Sequence, residues 1–163
     1  DDPVMYIDDR WLYDQEDDLP PVVELDLATQ RPVVSLIGSD ITIVASGHAS
    51  LLAREAAEQL ENEGVSVEVV DVRVLNPFHA EKIIESVKKT KNLLVVDSGW
   101  MSGGFSAEII AKVVEQLPVN CLNNPPVRIA LPDAPAPTSR ELEKAYYTST
   151  DDVVKAVRKI VKK

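Results

Sequence analysis

From residue 41 onward, short apolar runs and amphipathic stripes take turns along the chain. ITIVA (41–45), VSVEVV (65–70), NLLVVD (92–97) and VRIAL (127–131) are β-branched and mostly apolar at consecutive positions. Continuous runs of this length suit strands buried on both faces of a parallel sheet. Helical stripes fill the gaps. Ala49, Leu52, Ala53, Ala56 and Leu60 form one, with Gly64 at the expected C-cap. Ala80, Ile83, Ile84 and Val87 form a second, and Phe105, Ile109, Val113 and Leu117 a third. Val153, Val154, Val157, Ile160 and Val161 mark the last helix, capped by Ser149 or Thr150. Thr138 to Glu141 fits a capping box and predicts a short helix over 139–147.

Strands alternating with helices predict an α/β fold: a doubly wound, three-layer αβα domain with right-handed crossovers. Ahead of it, PVVSLIGSDITIVA places two strand-like runs around Gly38, Ser39 and Asp40, which predicts a hairpin. Residues 33–37 would then run antiparallel to the rest, giving a mixed five-stranded sheet with one antiparallel strand. The expected domain proper is 33–163. Residues 14–32 are acidic, proline-containing and weakly periodic, as a linker would be. Residues 1–13 hold the strand-like PVMYI followed by DDRWLY and read as the end of a preceding domain. A chain that opens on Asp1 and moves at once into such a run is expected to be part of a longer polypeptide.

Charge sharpens this division. The net charge is −10 over 163 residues. Residues 1–40 carry 11 acids against Arg10 and Arg31, a net of −9, and the rest carries 16 acids and 15 bases, a net of −1. Nucleic acid, which needs a basic face, is not an expected partner. No apolar run approaches the roughly 20 residues that span a bilayer, so no membrane association is expected. Cys121 is the single cysteine. It excludes an internal disulfide, and a reducing, cytoplasmic compartment is expected.

An open α/β sheet binds ligands at the loops that follow its parallel strands. The first such loop is ASGHAS, residues 45–50, where Gly47 gives a tight turn and His48 can titrate near neutrality or hydrogen-bond a ligand. Equally, it is a polar loop feeding a helix. The second, DVRVLNPF, sets Arg73 where it can clamp a phosphate or pair with Asp71 or Asp97. Pro77 fits a first helical position, which puts His79 on a surface-facing first turn. The third is SGWMSGGFSAEII. Gly103 and Gly104 do not make a dinucleotide fingerprint or a P-loop, and no lysine or arginine lies between Asp97 and Ala111. The expected role of these glycines is steric: they let the following helix approach the sheet. Ser102 is expected as an N-cap, since no base lies near it in sequence to activate it. Gly47, His48, Arg73, Ser102, Gly103 and Gly104 are therefore binding candidates only. No catalytic residue is assigned. Two histidines and one cysteine cannot supply a zinc set.

Several segments, taken in order, resemble one family. They are PVMYIDDRWLY, GSDITIVASG, VSVEVVDVRVLNPF, VKKTKNLLVVDSGWMSGGFSAEI and LPDAPAPTSRELEKAYYTSTDDVVKAVRKIV. Together they are similar to the C-terminal, transketolase-C-like domain of the beta subunit of thiamine-diphosphate-dependent 2-oxo acid dehydrogenases of the pyruvate and branched-chain type. Transketolase and deoxyxylulose phosphate synthase carry the same type of domain. The resemblance implies thiamine diphosphate and Mg in the complete enzyme, bound outside this domain, and none in this chain. It implies as partners an N-terminal pyrimidine-binding domain, an alpha subunit, a two-fold related beta subunit and the acyltransferase's subunit-binding domain. Lys162 and Lys163 depart from the local negative charge that docking of a basic partner would favour. Beside this stands a different class, a free-standing flavodoxin-like module holding a small anion at Gly47–His48 and 102–104.

Overall fold

The computed structural model of the 163-residue chain describes residues 3, 5–6, 8–16, 18 and 21–161. Five strands form one sheet: β1 Val33–Leu36, β2 Ile41–Ala45, β3 Val67–Asp71, β4 Leu93–Trp100 and β5 Val127–Leu131. Five α-helices surround them: α1 His48–Glu61, α2 Glu81–Thr90, α3 Phe105–Gln116, α4 Arg140–Tyr146 and α5 Thr150–Ile160. The strand order is β1-β3-β2-β4-β5, with β1 antiparallel and the other pairings parallel. The mixed five-stranded α/β sheet is thus as expected.

Side-chain alternation explains the three layers. Ile41, Ile43, Val67, Val69, Leu94 and Val96 point to one face and pack on α1 and α5. Val44, Val70, Leu93 and Val95 point to the other and pack on α2 and α3. Each such side chain, removed from water, contributes about 1.5–3 kcal/mol before chain entropy is set against it. Helices on both faces are why the strands are apolar at consecutive positions rather than at every second one.

Two polar positions interrupt the α2 face. Thr42 Oγ1 lies 2.7 Å from both Ser86 Oγ and Thr90 Oγ1 on α2. Glu68, only 2% exposed, accepts hydrogen bonds from Ser86 and Lys89 and, at 3.2 Å, from the Gly38 N–H.

That last bond belongs to a correction. The expected hairpin at residues 38–40 does not form, because β3 lies between β1 and β2. The connection crosses the start of β3 so closely that a Cβ on Gly38 would overlap the Val67 and Glu68 backbone. The Ser39 and Asp40 N–H groups both donate to the Ser66 carbonyl. Paired to β3, the end of the crossover has its backbone groups satisfied, which a free hairpin loop would not gain.

Other local expectations also shift. Pro77 is not a first helical position: the helix begins at Glu81, with Ala80 as its cap. Phe78 packs edge-on against Phe105, with ring centroids 5.0 Å apart, and residues 72–80 form an irregular connection before the helix. His79 therefore sits before the helix, half-buried, with Nε2 2.9 Å from the Ala28 carbonyl of the acidic segment. The capping box at Thr138 does not form, because Ser139 is the N-cap and the third helical residue becomes Leu142, which has no oxygen to reach back. The box is instead at Ser149 and Asp152, each bonded to the other's backbone N–H. Of the strand expected near residues 3–7, Val4 and Ile7 lie outside the described residues; residues 3, 5, 6, 8 and 9 have no regular structure, and Arg10–Leu12 form a 3-10 turn. Lys162 and Lys163 also lie outside the described residues. No helix among the described residues is long and apolar enough to cross a membrane.

Candidate functional site

Loops leave the C-terminal ends of β2 and β4 toward opposite faces, α1 on one and α3 on the other. The crevice between them is where a doubly wound sheet holds a ligand. Here it opens as a groove of about 1410 Å³, bounded by Asp9, Trp11, His48, Arg73, Asp97 and Tyr147 among others.

The helix starts at this edge already have acceptors. Asp97, in the second half of β4, accepts the Ser106 N–H in the first turn of α3 at 2.7 Å through Oδ2 and the Gly99 N–H at 2.8 Å through Oδ1. Asp9 accepts the His48 N–H, the first residue of α1, at 3.3 Å through Oδ2. Asp71, at the end of β3, accepts the Ser50 hydroxyl at 2.9 Å. Free N–H groups and the helix dipole make such ends attractive to anions. In this chain, own-chain carboxylates stand there.

Gly103 and Gly104 need to be glycine for different reasons. A Cβ on Gly104 would overlap the Trp100 carbonyl oxygen and come within 2.9 Å of Asp97 Oδ2. That is the close approach of helix to strand expected from the sequence. Gly103 has open space around it but a φ of 71°, so its demand is conformational.

Ser102 is not the N-cap of α3, which is Gly104. It lies two residues too early to reach the first turn. Its N–H and hydroxyl instead donate to Asp133 at 3.0 and 2.6 Å. These bonds hold the exposed Asp133 carboxyl below the usual carboxylate range, the hydroxyl being the larger influence. The loop is pinned to β5 as well, through the Met101 N–H to the Leu131 carbonyl and Arg128 to the Met101 carbonyl.

Arg73 pairs with Asp71, Nε to Oδ2 at 3.6 Å, rather than with Asp97. Gly47, with φ of 56°, makes the tight turn into α1, and its Cβ position would face the Asp9 carboxylate. His48 is half-buried against Trp11, the rings stacked at 5.7 Å and 27°. Trp11 also meets Tyr147 edge-on at 6.0 Å. Gly47, His48 and Arg73 thus share one groove; Ser102 and Gly103 belong to the neighbouring turn toward β5. Sequence reasoning passed over Asp9, Trp11, Asp133 and Tyr147. Asp133 had a signal, since three apolar strand runs each reach an aspartate within two residues: Asp71, Asp97 and Asp133. Among the described residues, no group of three or more histidine, cysteine or acidic side chains is arranged to hold a metal ion.

Residues 32–153 match the family described as transketolase, C-terminal domain. The chain is 35% identical over 170 residues to the mitochondrial pyruvate dehydrogenase E1 component subunit beta of Dictyostelium discoideum, covering all of this chain and 46% of that protein. It is 35% identical over 160 residues to the Rickettsia felis pyruvate dehydrogenase E1 component subunit beta, covering 98% of this chain and 48% of that one. The chain spans about half the length of the curated relatives it matches. Among solved structures, a split gene transketolase described as an inactive beta4 tetramer superposes with a TM-score of 0.73 at 28% identity, over 90% of this chain and 46% of that one. A Pichia stipitis transketolase matches at a TM-score of 0.57 and 18% identity, over 83% of this chain and 18% of that one, a likeness of fold alone.

Proposed function

Since the chain belongs to the transketolase C-terminal domain family, we propose that it is the C-terminal assembly domain of a 2-oxo acid dehydrogenase beta subunit of the pyruvate dehydrogenase E1 type. The complete enzyme would decarboxylate a 2-oxo acid with thiamine diphosphate and Mg, passing the acyl group to a lipoyl carrier. This chain turns nothing over by itself. It packs against an N-terminal pyrimidine-binding domain, an alpha subunit and a two-fold related beta subunit, and offers a face to the acyltransferase's subunit-binding domain. The lone Cys121 supports a reducing, cytoplasmic setting, although the Dictyostelium relative is mitochondrial by name.

The observation that carries the proposal is the state of the sheet's C-terminal edge. A diphosphate needs free N–H groups and cations there, and the residues present do not fit it. Asp9 and Asp97 each accept one N–H at a helix start and would repel a phosphate, Arg73 pairs with Asp71, and Arg10, Arg140 and Lys144 share the groove's lining with Asp8 and Glu143. The same contacts remove the main support for an anion-binding module at Gly47–His48 and 102–104. Exposed apolar side chains support burial against neighbours: Ile37 is 81% exposed, beside half-exposed Val33 and Leu36 on the edge strand β1.

Calorimetric titration tests this directly. The 163-residue chain with Mg is expected to show no stoichiometric binding of thiamine diphosphate, and tight one-to-one binding would overturn the proposal. Light scattering at rising concentration is expected to show dimers; a strict monomer would remove the two-fold interface from it.

A further inference from the structure

Asp9 and Trp11 form one wall of the groove at the switch point. They stand where a ligand stands in other doubly wound sheets. The Asp9 carboxylate occupies the anion position, accepting the His48 N–H at the start of α1 at 3.3 Å. Its other oxygen accepts the Trp11 N–H at 3.1 Å and so starts the Arg10–Leu12 turn. One carboxylate thereby caps both its own 3-10 turn and α1, whose first residue lies 39 positions further along the chain. The Trp11 indole occupies the position of a planar ring, stacked on His48 at 5.7 Å and flanked edge-on by Tyr147 at 6.0 Å. Gly47 completes the fit: the position its Cβ would take is 3.7 Å from Asp9 Oδ2, and its φ of 56° is one that side-chain-bearing residues rarely adopt.

We propose that residues 8–13 are an intramolecular latch, with Asp9 and Trp11 acting as a tethered pseudo-ligand of the switch-point crevice. The latch fixes where the preceding chain enters the domain and sets a carboxylate at the start of α1. These three weak contacts suffice because the segment is tethered: its effective concentration at the crevice is of millimolar order without any further interface.

His48 allows a test that leaves the segment's own sequence untouched. His48 is the first residue of α1, a position that tolerates proline. His48→Pro removes both the N–H that Asp9 accepts and the ring on which Trp11 stacks. His48→Ala removes the ring alone, and His48→Phe keeps both. Trypsin cleavage after Arg10 in the 163-residue chain, followed by mass spectrometry, reads how often the segment is released. His48→Phe is expected to match wild type. His48→Ala should be cleaved about fivefold faster, the loss expected of one stacked aromatic pair. His48→Pro should be cleaved roughly tenfold faster or more. Melting temperatures report whether the domain itself is intact. Should His48→Pro fail to fold, His48→Ala against His48→Phe decides alone. Equal cleavage rates in all the folded proteins, or His48→Phe cleaved as fast as His48→Ala, would overturn the latch.

Discussion

Asp97 Oδ2 accepts the backbone N–H of Ser106 at 2.7 Å, so a side chain within strand β4 caps the helix that follows it. The side chain reaches across nine residues because Gly103 turns the chain and Gly104 lets it return against the strand. The second oxygen holds the Gly99 N–H. Replacing Asp97 with alanine orphans both donors. Asp97→Ala is expected to cost about 1–2 kcal/mol, whereas Asp97→Asn, which can still accept, should cost less. Urea denaturation midpoints of the two variants check this; equal losses would mean that the hydrogen bonds contribute nothing beyond charge.

The two glycines of the same turn should respond differently to alanine. At Gly103 the new Cβ meets open space, and only the positive φ is penalised, by about 1 kcal/mol. At Gly104 it would overlap a backbone oxygen that cannot move without displacing β4, so a cost of at least about 3 kcal/mol is expected. Parallel thermal melts of Gly103→Ala and Gly104→Ala test the order. A Gly103→Ala loss equal to or above that of Gly104→Ala would refute the packing role of Gly104.

A third expectation concerns the last helix. Ser149 and Asp152 form the reciprocal box at the start of α5, and α5 covers one face of the sheet through Val153, Val154 and Val157. Ser149→Ala should lose about 1 kcal/mol. Thr138→Ala, at the box that the sequence suggested but the fold does not use, should change stability by only a few tenths of a kcal/mol. Circular dichroism melts of both variants make the comparison.

The contrast between those two boxes shows what was readable before the fold was known. The start of α5 was legible, as a cap at Ser149 or Thr150, because a strong apolar stripe follows it immediately, and the structure places the cap at Ser149. The sequence around Thr138 carries the same residue types with no buried stripe behind them, and α4 buries none of its residues. Strands β2 to β5 were legible as short β-branched runs, which in β2 and the first half of β4 are unbroken and apolar or nearly so because both faces are buried. The antiparallel sense of β1 was legible as well, but its neighbour was not. That choice rests on Gly38 passing over the β3 backbone and bonding Glu68, a contact 30 residues away in sequence. In the site, the missing cation near Gly103 and Gly104 argued for packing. No local pattern announced that Asp9 and Trp11 would meet His48.

Glu68 provides the pH-dependent prediction. Its burial raises the carboxyl's pKa, but the hydrogen bonds from Lys89, Ser86 and the Gly38 N–H together outweigh this and hold it below its ordinary value of 4.5. A carboxyl depressed in the folded state contributes stability that is fully present above the unfolded-state value. That stability is lost as the pH falls through the lower native value. Glu68→Gln keeps the shape and one acceptor but cannot titrate. At pH 7 it should be less stable than wild type by about 1–2 kcal/mol, a range that allows for the half-exposed Lys89 partner. Acidification to about pH 3 should shrink the gap, because only the wild type loses this contribution. Other depressed carboxyls, such as Asp133 and Asp152, titrate in both proteins and cancel in the difference. Urea midpoints measured in parallel across that range decide the matter. A gap that stays constant from pH 7 to acid would show that the charge on Glu68 does not tie the crossover to α2.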